Sequence, residues 1–244
     1  MTPVHTEVEM HALMRDLYPI CRSLTGRGVR ETFDIINRHV PFELTHVPSG
    51  TRIYDWTIPN EWNIHDAWIA DSHGRRIVDF RESNLHVLAY SVPVRATLTL
   101  GELRKHLFTL PDKPDWIPFR SSYYDENWGF CLTQRQLDQL AHDTYDVCID
   151  SSLGAGHLTY GEYTVPGRTD DEILISSYIC HPSLCNDGLS GVVLVVALAR
   201  HMSRRSTKYS YRFLLSPGTI GPLTWLSRNE HRLGRVRHGL VAAC

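Results

Sequence analysis

The residues best suited to chemistry gather in one stretch, Ile173–Met202, which reads ILISSYICHPSLCNDGLSGVVLVVALARHM. Between its two apolar runs lie His181, Ser183, Asn186 and Asp187. An imidazole and a carboxylate six residues apart in one tight loop can both turn toward a single metal ion, or one each toward a pair. Gly188 and Gly191 let the backbone come close. Cys180 and Cys185 flank the loop and offer a thiolate-containing zinc site as an alternative, although Cys180 ends an apolar run where a small buried thiol is ordinary. Two purely structural readings compete. Asp187 and Ser190 are good N-cap residues for a following helix, and His181 before Pro182 can simply satisfy a turn.

These residues must be positioned by the runs on either side. Ile173–Ile175 and Tyr178–Cys180 read as a central strand buried on both faces, while Leu189, Val192, Val193, Val196, Ala197 and Arg200 recur at helical spacing. Strand, loop and helix in that order put the polar loop at the C-terminal end of a sheet strand, where open α/β sheets hold their ligands. Helical stripes also mark Glu7–Tyr18 and Gly28–His39. Arg22, Ser23 and Thr25 between them could bind an anion, but a solvated turn is the expected state. Further on, Tyr145–Ile149 and Gly161–Val165 read as strands joined by a hairpin turn at Leu153–Gly156. A nucleotide reading of that glycine pair lacks the helix N-terminus it needs. Tyr209–Leu215 is another apolar strand, followed by the loop Ser216–Gly221 and a helix at Leu223–Asn229.

From about Phe42 the grammar changes to short strands punctuated by Gly50, Pro59-Asn60, His73-Gly74 and Pro93. Trp56, Trp62, Trp68, Trp116, Tyr54 and Tyr90 concentrate there, either as a sugar or peptide platform or as core, the commoner use in a small β module. Thr99-Leu100-Gly101-Glu102 is a capping box opening a helix to about His106. Trp128–Leu132 reads as a strand, and Thr133 caps a helix through Leu140. The switches of periodicity divide the chain into an α/β domain at residues 1–44 and 120–244, with a mostly parallel, mixed sheet and helices on both faces, and an inserted β-rich module at 45–119.

Composition bounds the function. A chain of 244 residues with 42% hydrophobic and 21% charged residues buries a full core. A formal net charge of −2 exerts no general pull toward nucleic acid or anionic membrane, so neither is expected as a partner. Six cysteines at positions 21, 131, 148, 180, 185 and 244 lack the spacing of a disulfide framework, which fits a reducing cytoplasm. The N-terminus has no apolar signal core, and no run approaches the ~20 apolar residues needed to span a bilayer.

The stretch ICHPSLCNDGLSGVVLVVALAR followed by YRFLLSPGTIGPLTWLSRNE resembles the aminopeptidase-like domain proteins related to the co-catalytic di-zinc aminopeptidases. YDWTIPNEWNIHDAWI, NLHVLAYSVPV, FTLPDKPDWIPFRSSYY and WGFCLTQ resemble the β-rich module carried inside the same proteins. The resemblance covers nearly the whole chain and implies a zinc-exopeptidase fold, with zinc as cofactor, His181 and Asp187 as metal ligands and a peptide or amide as substrate. Three departures matter, one being a His181-to-Asp187 interval shorter than the family's. The family's paired glutamates, one a general base and one a ligand, would fall in the loop that here reads Pro217-Gly218-Thr219, leaving Glu230 at the far end of the next helix as a weak substitute base. The carboxylate that would orient the first histidine is replaced by Ser183. The family pattern also places later ligands beyond residue 244, so the chain reads as the front part of a longer protein or as a truncation. Three functions remain open: a zinc-dependent hydrolase of peptide or amide bonds with an incomplete site, a non-catalytic metal- or ligand-binding scaffold, and carbohydrate binding through the aromatic β-rich module.

Overall fold

A computed structural model describes residues 3–123 and 125–243; Tyr124 and Cys244, which belong to the motifs and cysteines above, lie outside that range. The chain divides into two compact units, Met1–Glu61 with Ala155–Cys244, and Trp62–Gly154.

The first unit opens with helices α1 (Pro3–Leu17) and α2 (Arg27–Ile36), then strand β1 (Glu43–Pro48) and the two-residue strands β2 (Arg52–Ile53) and β3 (Trp56–Thr57). The second unit holds β4 (Glu61–Ala70, beginning on the border residue), β5 (Arg76–Asp79), β6 (Val94–Thr99), α3 (Leu100–Leu103), β7 (Leu107–Phe108), β8 (Phe130–Cys131), α4 (Gln134–Asp138) and β9 (Thr144–Gly154). The chain then returns to the first unit with β10 (His157–Val165), β11 (Glu172–Tyr178), α5 (Ser190–Met202), β12 (Ser210–Ser216), α6 (Ile220–Asn229) and β13 (Val236–Val241).

The large sheet runs β1-β10-β12-β11-β13. Its β1–β10 and β10–β12 pairings are antiparallel, and β11 pairs in parallel with both β12 and β13. The sheet is therefore mixed, with half its pairings parallel. Alternation along β12 shows how both faces are covered. Phe213 and Leu215 enter one core with Leu13 and Leu17 of α1, Phe33 of α2 and Val192 and Val196 of α5, whereas Leu214 packs on the other face with Tyr160 and with Ile220 and Trp225 of α6.

Topology then dictates where a ligand could sit. From β11 the chain crosses to β12 on one side through α5, and from β12 it crosses back to β13 on the other side of β11 through α6. Crossovers of one hand running in opposite directions need opposite faces, which matches the two cores. The order thus reverses at β11, and the crevice at such a switch point opens outside the carboxyl ends of the strands.

In the second unit the sheet runs β5-β4-β9-β6. Trp62 is 2% exposed, stacks on Tyr90 at 5.8 Å between ring centroids and donates its indole N–H to the Ser91 carbonyl. The core reading of the aromatic set holds for part of it. Trp62 and Tyr90 are core, while Trp56 and Tyr54 lie in the first unit. The Thr99–Glu102 capping box forms as read, and Thr133 with Gln136 makes a second.

The unit borders, at 61/62 and 154/155, differ from the 44/45 and 119/120 that periodicity suggests. β1 has strand grammar but joins the large sheet through β10, and β9 joins the small one through β6. A local pattern reports a strand without naming its sheet. For the same reason Leu153–Gly156 is not a hairpin turn: it links β9 to β10, strands of different sheets.

Candidate functional site

Three parallel strands deliver their following residues to one edge. Ile179 donates its N–H to the Ser216 carbonyl, and Ala242 donates to Ser176. The Ser177 hydroxyl donates to the Ala242 carbonyl at 2.7 Å. Gly191, in the first turn of α5, lies against these strand ends so closely that a Cβ would overlap both the Ala242 carbonyl oxygen and the Ser177 hydroxyl. Only glycine fits there.

In the loop after β11, His181 Nδ1 lies 3.2 Å from Asp187 Oδ1, with the His181 side chain 21% exposed and that of Asp187 51%. The two residues expected to share a site are thus adjacent at the switch-point edge. The chain bends over Cys185–Leu189, where Asp187 and Gly188 leave helical geometry, and no side-chain cap is present there or at the start of α5. Asp187 and Ser190 do not act as caps: Asp187 faces His181, and the Ser190 hydroxyl donates to the Asn186 carbonyl at 2.7 Å. Burial holds the His181 imidazole below its ordinary pKa, with Asp187 pulling the other way and Arg22 adding to the burial effect. The ring is therefore neutral at pH 7, which is the form that offers a nitrogen lone pair.

The loop is held from behind by residues far away in sequence. Arg22 donates from Nε to the His181 carbonyl at 2.9 Å and from Nη1 to the Leu17 carbonyl at 2.6 Å. Ser183 donates to the Tyr18 carbonyl at 2.8 Å, so its hydroxyl ties the loop to the end of α1. Arg22, Ser23 and Thr25 are 1%, 6% and 1% exposed, which overturns the expected solvated turn. Burial lowers the Arg22 pKa to about 10. Sequence reading missed this support because a polar turn looks the same whether water or protein covers it. The one available signal is glycine spacing. A Cβ on Gly28 would overlap the Cys21 carbonyl oxygen, so α2 starts hard against the Arg22 loop.

The remaining candidates separate. Cys180 is buried, accepts the Gly218 N–H on its sulfur at 3.1 Å and has its thiol pushed up to about 11 by that burial, while Cys185 is exposed. A thiol so placed is a poor thiolate ligand. Glu230 does not join the pair. It follows the 10-residue helix α6, so about 15 Å of helix at 1.5 Å per residue separates it from the Pro217–Thr219 loop, and its carboxylate accepts the Tyr54 hydroxyl at 2.6 Å.

The donor set fits a zinc ion in part. The pair offers an imidazole nitrogen and a carboxylate oxygen, both accepted by zinc, but among the described residues no group of three or more His, Cys, Asp or Glu side chains could hold a metal. A catalytic zinc usually takes three protein ligands.

The model of a family known as a domain of unknown function, DUF4910, matches residues 11–244. The chain belongs to that family. It is 56% identical over 236 residues to a Clostridium acetobutylicum protein named as a polysaccharide biosynthesis protein with aminopeptidase-like domain, a match covering 97% of this chain and 54% of that protein. A crystal structure of a C. acetobutylicum protein named a peptidase superposes with a TM-score of 0.96 at 55% identity, over 97% of this chain and 56% of that one. The chain thus spans about half the length of these relatives. BSAP, a zinc aminopeptidase from Bacillus subtilis, superposes with a TM-score of 0.60 at 11% identity, over 97% of this chain and 68% of that one. At that identity the likeness concerns the fold alone. The fold is that of the zinc aminopeptidases, as the sequence resemblance implied. Among the described residues no helix is long and apolar enough to cross a membrane.

Proposed function

We propose that this chain carries part of a metal-dependent hydrolase site for peptide or amide bonds, with His181 and Asp187 as two zinc ligands, and that by itself it binds zinc weakly and turns over little substrate. The observation that carries this reading is the 3.2 Å approach of His181 Nδ1 to Asp187 Oδ1 at the switch-point edge. Zinc bound there would polarise a carbonyl and lower the pKa of a water. The chain's own contribution is positioning: Arg22 and Ser183 fix the loop, and burial keeps His181 neutral.

Weak activity follows from what stands in the neighbouring loop. Pro217-Gly218-Thr219 has no carboxylate to act as general base, and general acid–base help is worth about 10² to 10⁴ in rate. The same observation favours a second reading, a non-catalytic scaffold that keeps the fold and binds a metal or ligand. The substrate proposed for the first reading is a peptide or small amide, with no nucleic acid or membrane partner. Five described cysteines are free thiols, which fits a reducing compartment such as the cytoplasm.

Calorimetric titration of zinc into the chain, with His181→Ala as control, and hydrolysis of an aminoacyl anilide test the proposal. We expect weak binding that the substitution abolishes, with marginal turnover. Zinc binding that His181→Ala leaves intact sinks the ligand assignment. Submicromolar stoichiometric zinc with robust turnover would show that the site is complete and would overturn the claim of weakness.

A further inference from the structure

The small sheet of the second unit carries a groove of about 590 Å³, within the range of small-molecule sites. It is lined by residues of all four strands, and their order across the sheet is informative. Arg76 stands on the outer strand β5, Asp66 and Trp68 on the inner strand β4, Cys148 and Asp150 on the inner strand β9, and Arg95 on the outer strand β6. Guanidinium groups thus flank the groove and carboxylates occupy its middle. The register supports this: Arg95 is paired directly with Cys148, and Asp66 and Trp68, two residues apart, share a face.

Part of this set is already fixed in place. Arg76 donates to Asp66 at 3.2 Å and to Asp79 at 2.9 Å while its guanidinium sits 5.0 Å from the centre of the Trp68 ring. Arg81 adds a second bond to Asp66 at 3.1 Å. The other half is less engaged. Arg95 and Asp150 are exposed, and Arg95 reaches toward the weak acceptor Cys148 Sγ at 3.9 Å.

The charges decide the ligand class. Two arginines and two aspartates line the groove, so they cancel and the groove draws neither an anion nor a cation by net charge. It offers instead alternating carboxylate acceptors and guanidinium donors beside an indole and Pro93. A sugar hydroxyl both donates and accepts, so neighbouring hydroxyls of a pyranose satisfy a carboxylate and a guanidinium together. The C–H face of the ring is apolar and suits an aromatic wall.

We propose that this groove binds a neutral hexose oligosaccharide, with a pyranose ring against Trp68 and hydroxyl bonds to Asp150 and Arg95. This reading stands independently of the hydrolase proposal, and it replaces a broad aromatic platform with one tryptophan in a charged frame.

The test uses the full chain and isothermal calorimetry with cellotetraose, maltotetraose and mannotetraose, and with trigalacturonate as the anionic control. We expect at least one neutral tetraose to bind with Kd below about 1 mM. Asp150→Asn and Arg95→Gln alter exposed side chains and should retain the far-UV circular dichroism of the parent while weakening that binding about tenfold, or about 1.4 kcal/mol. Trp68→Ala should abolish it. The inference is overturned if none of the three neutral glycans binds, if Asp150→Asn and Arg95→Gln leave the affinity unchanged, or if trigalacturonate binds more tightly than every neutral one.

Discussion

Removing Arg212 from the large sheet should be among the costliest single changes in the first unit. Arg212 is 5% exposed on β12 and makes three charge-assisted hydrogen bonds: Nε and Nη2 to Glu172 of β11 at 2.7 and 3.0 Å, and Nη1 to Glu162 of β10 at 2.9 Å. Glu172 is also 5% exposed, so Arg212→Leu strands a buried carboxylate. Bonds of this kind are worth about 1.5–3 kcal/mol each, which gives a gross loss of about 4.5–9 kcal/mol. Partial rescue lowers this. Arg232 lies 3.6 Å from Glu172, and Glu162 keeps the Trp225 indole N–H at 2.8 Å. The expected cost is therefore ~3–5 kcal/mol, the usual penalty for leaving one buried partner behind. In the double variant Arg212→Leu/Glu172→Leu both charges go, and apolar replacement of a buried pair is often close to neutral. The measured coupling should then exceed about 2 kcal/mol.

The pH dependence has a definite sign. Hydrogen bonds from Arg212 hold the Glu172 carboxyl below its ordinary pKa against the opposing effect of burial. A depressed acid stabilises the fold above its unfolded pKa of about 4.3, and that stabilisation is lost as pH falls through the folded value. The gap between parent and Arg212→Leu should therefore narrow on acidification. Urea unfolding at pH 7 and pH 4, followed by circular dichroism, measures both quantities. A single-variant loss under about 1 kcal/mol, or additive costs in the double variant, would refute the reasoning.

Gly191→Ala should destabilise the chain by ~1–3 kcal/mol, as overpacking does, because its Cβ meets backbone and a strand-end hydroxyl; a thermal melt unchanged from the parent would contradict this. Arg22→Lys keeps a charge but loses the fork that reaches two carbonyls, Leu17 and His181, and should cost ~1–3 kcal/mol in urea titrations; an unaltered midpoint counts against the tethering role. His86 is 3% exposed, its Nδ1 lies 2.7 Å from the Cys131 carbonyl, and burial lowers its pKa. As pH falls below about 6.5 the unfolded chain takes up a proton that folded His86 refuses, so stability declines by up to about 1.4 kcal/mol per pH unit. His86→Gln should remove that share of the slope, and identical slopes for parent and variant would show that His86 does not contribute.

The strand, loop and helix that present His181 and Asp187 were legible in the sequence because each follows from local spacing. An apolar run of strand length, a polar hinge and a 3.6-residue stripe need no knowledge of the rest of the chain. The capping box at Thr99 and the cap at Thr133 were legible for the same reason, since a cap and the group it satisfies lie three residues apart. Sheet membership was not. β1 and β9 read as strands, yet only pairing with β10 and β6 assigns them to different units. Nor could the sequence distinguish capping by Asp187 from its approach to His181, because both use the same residue in the same loop. The support behind the pair depended most on tertiary structure: Arg22 lies 159 residues from His181 and Ser183 lies 165 from Tyr18. Short-range periodicity records which residues seek burial, but which distant polar groups meet when that burial is achieved is decided only by how the layers pack.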